Sequence, residues 1–251
     1  MKRLLLILSM IMLLVVGCSE KKDENIKFRA MIGKTSETGF MAINLDKSLS
    51  LGIFEPMSVG YKEQLDVEVG DVVEIKFNGM MAESYPVQIT AISVKNIEKA
   101  ESGWPASAMI PEDYTYEDAI LDKNLVIGLG KVEGKDYLTT FVGNSESGLV
   151  SFLRVVAYTI EGDPIIKDIL FDGKTYYAVH DSSRDAFGGK DNTILKYEYQ
   201  YLNTYEKDDK LVIYLADRND ITDEEFEKSI VSEKEEDRID MFVIYEEQKV
   251  D

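Results

Sequence analysis

The chain has 251 residues, with 47 Asp and Glu against 28 Lys and Arg, a formal charge of −19, one histidine and one cysteine. Such a polyanion repels nucleic-acid phosphates and carries no basic cluster to offset the repulsion, so nucleic acid is excluded as a partner. Apolar residues make up 45% of the chain, with fourteen Tyr and ten Phe, which supports a packed core and excludes a disordered acidic tail.

Met1-Lys2-Arg3 gives a short positive start, and Leu4 to Val16 is apolar apart from Ser9. Thirteen helical residues would reach roughly 20 Å, short of the ~30 Å hydrocarbon core, so residues 1–17 read as a signal peptide rather than a permanent span. The run ends in Val15-Val16-Gly17-Cys18, which resembles the lipobox of bacterial lipoproteins. That resemblance implies cleavage before Cys18, a diacylglycerol on its thiol, and a mature protein held on the extracytoplasmic face of the cell membrane, where two acyl chains anchor stably and one does not. Removing seventeen of the 251 residues leaves 234, and the loss of Lys2 and Arg3 takes the formal charge from −19 to −21. Because Cys18 is the sole cysteine, its acylation would leave no thiol for disulfides, nucleophilic catalysis or metal binding. Residues 18–25 are polar and read as a tether.

Residues 26–98 read as short strands. Ile26, Phe28, Ala30 and Ile32 alternate with other residues, Thr35 to Gly39 makes a turn, and Met41, Ile43 and Leu45 continue the apolar alternation. Val69-Gly70-Asp71 turns into Val72–Phe77, which Asn78-Gly79 closes. On a last strand Val87, Ile89, Ala91 and Ser93 share one side, with Ile92 and Val94 on the other. About five strands in so short a span predict a small OB-like β-barrel, whose closure removes exposed edges. Residues 99–117 read as a linker, because Gly103, Trp104-Pro105, Pro111 and Glu112-Asp113 break every periodicity. Trp104 is expected to pack into an interdomain crease, the alternative being a ligand platform.

Residues 118–251 form the second module. Tyr137, Leu138, Phe141 and Val142 share a helix face, with Gly148 as its stop. Leu149 to Ile160 and Ile165 to Phe171 are strands, Asp172-Gly173 is a hairpin turn, and Lys174 to His180 returns. A polar stretch leads to a strand over Ile194 to Leu202, then a charged turn and Leu211 to Ala216. Thr222 and Glu225 make a capping box for a helix running to about Val231, and Ile239 to Tyr245 is a final strand. The fold class is β-rich α+β: a small barrel, then an antiparallel meander with one or two helices.

The segment Ala157-Tyr158-Thr159-Ile160-Glu161-Gly162-Asp163-Pro164-Ile165 resembles a secreted Gram-positive family classed only as a domain of unknown function. Asp172-Gly173-Lys174 and Asp181 to Gly188 follow in that family's order, and the resemblance covers roughly 118–217. Gly70-Asp71-Val72-Val73 and Ala82 to Gln88 resemble a second uncharacterised lipoprotein family of small barrel-like domains. Neither resemblance implies an activity or catalytic residues.

The chemistry available is limited. His180 ends a hairpin strand, no G-x-S-x-G elbow accompanies it, and a zinc site needs more than one histidine. Gly128-Leu129-Gly130 lacks the remainder of a phosphate-binding loop. Glu161-Gly162-Asp163-Pro164 reads as a tight corner, or as a turn that aims two carboxylates at one point for acid–base work or a hard cation. Asp181, Asp185 and Asp191 in the following loop offer further oxygens, without the spacing of a calcium loop. Tyr197, Tyr199 and Tyr201 alternate and are expected to face the core. The candidate binding residues are therefore Tyr158, Glu161, Asp163, Asp181 and Asp185, with no metal or cofactor implied. The expected function is a non-enzymatic binding or interaction lipoprotein, in contact with the membrane through its anchor and with an envelope protein or glycan. The competing expectation is a carboxylate- or cation-dependent envelope hydrolase.

Overall fold

The computed structural model describes residues 25–47, 49–99, 110–128, 130–188 and 194–248. The signal segment, Cys18, the tether except Asn25, Gly103, Trp104-Pro105 and Asp191 lie outside them.

Five strands close the first module: β1 (Ile26–Ser36), β2 (Gly39–Asn44), β3 (Pro56–Gly60), β4 (Val72–Phe77) and β5 (Val87–Glu98). Their order is β1-β2-β3-β5-β4, with β4 returning to β1 and β3 running parallel to β5. This closed five-stranded arrangement is the OB-like barrel expected from the strand count. Phe28, Ala30 and Ile32 fill its interior with Phe40, Ala42, Val73, Ile75 and Phe77.

The structure adds the facing of one strand and corrects that of another. On β2 the interior takes Phe40 and Ala42, while Met41, Ile43 and Leu45 face outward against the second module. A strand buried on both faces has no polar phase to reveal which side is which. On β5 the pairing with β4 slips between Lys76 and Phe77, so that Phe77 meets Ala91 and Lys76 meets Ser93. Ile92 bulges out and is half exposed, and Val94 is shifted onto the interior face.

The second module begins with α1 (Tyr116–Leu121), capped reciprocally by Thr115 and Asp118. Next come β6 (Leu125–Gly128), β7 (Lys131–Glu133) and α2 (Lys135–Glu146), then β8 (Ser151–Tyr158), β9 (Pro164–Phe171), β10 (Tyr176–Asp181) and β11 (Ile194–Tyr199). These strands form one sheet ordered β11-β10-β9-β8-β6-β7, antiparallel except for the β6–β8 pair. A separate sheet holds β12 (Tyr201–Lys207), β13 (Lys210–Ala216) and β14 (Met241–Gln248), with α3 (Asp223–Val231) on its outer face. The expected strand over Ile194 to Leu202 is thus two strands. The chain bends at Gln200, so Tyr197 and Tyr199 join the core whereas Tyr201 is exposed.

Both faces of the six-stranded sheet are covered. On one face, Leu153, Val155, Ile169, Phe171, Tyr176 and Ala178 pack beneath α2 and the three-stranded sheet. On the other, Phe152, Leu170 and Val179 meet Met31 and Ile43 from the outside of the barrel, while Val126, Val156 and Ile166 meet Ile110, Tyr114 and Ala119. Residues 110–117, read from sequence as linker, are therefore packed onto this sheet.

The modules come close together at Gly33, where β1 bulges: a Cβ there would lie 2.6 Å from Val150 Cγ1. Val150 is β-branched, buried and unable to swing aside. Gly33→Val is expected to lower the urea midpoint by the equivalent of about 1–3 kcal/mol through overpacking. An unchanged midpoint would show that the modules do not dock through this face.

Candidate functional site

The face of the six-stranded sheet that receives the barrel carries one ion pair in apolar surroundings. Arg154 on β8 and Asp168 on β9 stand opposite each other in register. Arg154 Nε donates to Asp168 Oδ1 at 2.6 Å and Nη2 donates to Oδ2 at 2.7 Å, a bidentate pair in which the side chains are 6% and 0% exposed. Burial opposes the guanidinium's charge, but the facing carboxylate outweighs it and raises the Arg154 pKa above its ordinary value.

The barrel covers this pair with a strained residue. Phe54, on the loop between β2 and β3, has φ +65, in the left-handed region that bulky side chains avoid. Its ring lies 5.2 Å from the Arg154 guanidinium carbon and 4.8 Å from the Phe152 ring, placing the cation against two aromatic rings. Asn44 imposes that loop conformation. Its buried side-chain amide donates to the carbonyls of Asp46, Leu51 and Gly52, and its main-chain carbonyl accepts from Phe54 N–H at 2.7 Å.

On the opposite side, the turn after α1 passes through Lys123, which also has positive φ, +59. Asn124 follows and is buried, its amide donating to Tyr114 Oη at 2.8 Å and to the Ala119 carbonyl at 2.9 Å. Gly134 is needed beside it: its φ is +78, and a Cβ would meet the Asn124 carbonyl oxygen at 2.3 Å. With glycine there, α2 starts directly over this turn.

Between these elements lies a crevice of about 270 Å³, bounded by Phe54 and Tyr85 from the barrel and by Lys123, Tyr137, Phe152 and Arg154 from the second module. Asn144 on α2 donates across it to Tyr85 Oη at 2.9 Å. Among the described residues only three besides glycine have positive φ, and two of them, Phe54 and Lys123, line this crevice. Strain held at one place by surrounding packing marks a functional candidate. The sequence reading did not find it. The available signal was an arginine inside an otherwise apolar strand, Phe152 to Val156.

The carboxylates chosen from sequence lie elsewhere. Gly162 has φ +97 and turns the corner between β8 and β9, with Glu161 exposed. Asp163 Oδ2 accepts from Ala186 N–H at 2.9 Å and ties the corner to the loop after β10. Asp181 is 1% exposed. It accepts from the Ser183 hydroxyl and N–H and pairs with Arg184 at 2.9 Å. Burial pushes the Asp181 carboxyl up, but those hydrogen bonds and the arginine together hold it below its ordinary value. Arg184 in turn donates to the Ile110 carbonyl at 2.8 Å, which fastens residues 110–114 to the sheet. Asp185 accepts from Phe187 N–H, and Tyr158 donates to the Tyr114 carbonyl at 3.1 Å. Among the described residues no three His, Cys, Asp or Glu side chains are grouped to hold a metal ion. His180 is half-buried, and burial lowers its pKa.

Residues 122–215 match a family model described as "Domain of unknown function (DUF4362)". The match spans β6 to β13, so the second module contains an uncharacterised domain. No curated protein and no solved structure matches the chain.

The ion pair is expected to show the asymmetry of buried charges. Asp168→Ala leaves Arg154 uncompensated and should cost about 3–5 kcal/mol, whereas replacing both partners together, Arg154→Met with Asp168→Leu, should cost far less. Urea denaturation of the three proteins measures this. Equal losses in the single and double variants would mean the pair is not desolvated.

Proposed function

We propose that this protein is a lipid-anchored, extracytoplasmic binding module without catalytic activity, and that its ligand occupies the crevice between barrel and sheet. The observation that carries the reading is the Phe54 loop, held in a strained conformation over the buried Arg154 at the junction of the modules. Aromatic side chains, a desolvated cation and a few convergent polar groups in a concavity are the usual make-up of a binding site. The anchor rests on the residues before the described structure, the basic start, short apolar run and Gly17-Cys18. An anchored binder needs no chemistry of its own, and the acidic surface, with a formal charge of −21 after processing, keeps it from adhering to anionic envelope polymers. The hydrolase reading draws less support, because Asp163 and Asp181 are engaged in holding loops.

Two measurements test this. Cys18→Ala should move the protein from the membrane fraction to the soluble fraction and abolish incorporation of labelled palmitate. For the crevice, Thr140→Trp fills it from the exposed side of α2 without entering the core. An envelope component bound by the acylated protein should be recovered at least fivefold less with this variant. Undiminished recovery would place the ligand elsewhere.

A further inference from the structure

Resting on that reading of the crevice, we infer that its ligand is an extended peptide segment, which adds as a strand to the unpaired half of β8. β8 has eight residues, and all are paired with β9. On its other side β6 pairs only with Val155, Val156 and Ala157. Ser151 to Leu153 therefore have a neighbour on one side alone, and Arg154 is only partly covered. In an antiparallel ladder alternate residues direct N–H and C=O away from the partner strand; here these are Phe152 and Arg154, and since the β6 ladder takes the Arg154 carbonyl, two N–H donors and the Phe152 carbonyl face the crevice. The β6 ladder reaches only the Arg154 end of this stretch, where Leu125 stands in register with Val155, and among the described residues nothing outside the β8–β9 ladder bonds to the main chain of Ser151 to Leu153. The same four residues line the crevice.

The gap is a built feature and not a frayed end. β6 would continue along β8 if the chain before Leu125 stayed extended, but Lys123 is turned to positive φ and Asn124 is bonded to α1. The strained turn holds the edge open. Ser151 adds a second indication: it is 2% exposed, and its Oγ has no hydrogen-bond partner among the described residues. A buried hydroxyl without a partner is a cost to folding, which a ligand supplying one would recover.

The shape also selects a strand. At about 270 Å³ the crevice is smaller than most enclosed small-molecule sites, yet long enough along β8 for four residues, roughly 13 Å at strand rise. Side chains of an added strand would point alternately toward Phe54 and Phe152 on the barrel side and toward Tyr137 and Phe141 on the helix side. A strand covered on both faces is predominantly apolar. The chain's formal charge of −19 favours neutral or basic peptides over acidic ones. Recessed between barrel and α2, the edge is shielded from the sheet-to-sheet association that open edges invite.

The test uses the full-length protein in detergent and a phage-displayed random heptapeptide library, with the strongest binder then synthesised. Peptides with apolar residues should be enriched, and binding should weaken about tenfold or more when the peptide's alternate amides are N-methylated in one of the two phases, but not in the other. Thr140→Trp should weaken the unmodified peptide to a similar extent. No enrichment over the Thr140→Trp protein, or equal binding of both N-methylated series and the unmodified peptide, would overturn the peptide assignment. If peptides fail while an envelope glycan or small molecule still binds in a Thr140→Trp-sensitive way, the crevice stands as the site and only the strand-addition inference falls.

Discussion

The structure turns on a charge that the fold has removed from water. Arg154 and Asp168 face each other across β8 and β9 on the side of the sheet where the barrel docks. Desolvating such a pair costs several kcal/mol per ion, and only tight bidentate geometry offsets it. Sheet register is thereby tied to interdomain packing. A one-residue slip of β8 against β9 would separate the charges and also move Phe152 off the barrel. The Phe54 ring lies beside the guanidinium, so the barrel loop completes the burial that the pair requires. Asn44 fixes the loop, and the outward-facing Met31 and Ile43 seat the barrel around it.

From that constraint follows the shape of the junction. The barrel covers one part of the sheet face and residues 110–121 cover another, each with its own apolar cluster, so the pair lies near the seam between them. β6 stops short along β8 because the α1 turn is fastened to Tyr114 and Ala119 rather than to the sheet. Strain at Phe54 and Lys123, an open strand edge and an unpartnered Ser151 hydroxyl thus meet in one crevice. These are costs for folding, and a ligand that completes the sheet would recover part of them.

Much of the architecture was legible in the chain because local chemistry dictated it. The Thr222–Glu225 capping box starts α3 as read, and Asp172-Gly173 turns between β9 and β10 with Gly173 at φ +95. Interior alternation on β1 and β4 was readable for the same reason. What could not be read depended on contacts between modules. The direction of the Met41–Ile43 face of β2 could not be read, because those residues are buried outside the barrel, an environment that no neighbouring residue announces. β6, β7 and α1 went unnoticed because they are short. The acidic corner at Glu161 to Pro164 has the residue types of a site, yet Asp163 there and Asp181 at the end of β10 serve loop geometry. The crevice is composed of ordinary residues, Phe54, Lys123, Ser151 and Arg154, distributed over a hundred positions and brought together only by the fold.

The central claim is that the first half of β8 is an unfinished sheet edge held open in the folded protein. Residue-resolved amide hydrogen exchange by NMR, on the free protein, tests it most directly. Two alternate amides among Ser151 to Arg154 should exchange much faster than those of Val155 to Ala157, while the other two are as slow as the ladder with β9 makes them. Uniformly slow exchange from Ser151 through Ala157 would mean that this edge is already paired, and would contradict the account.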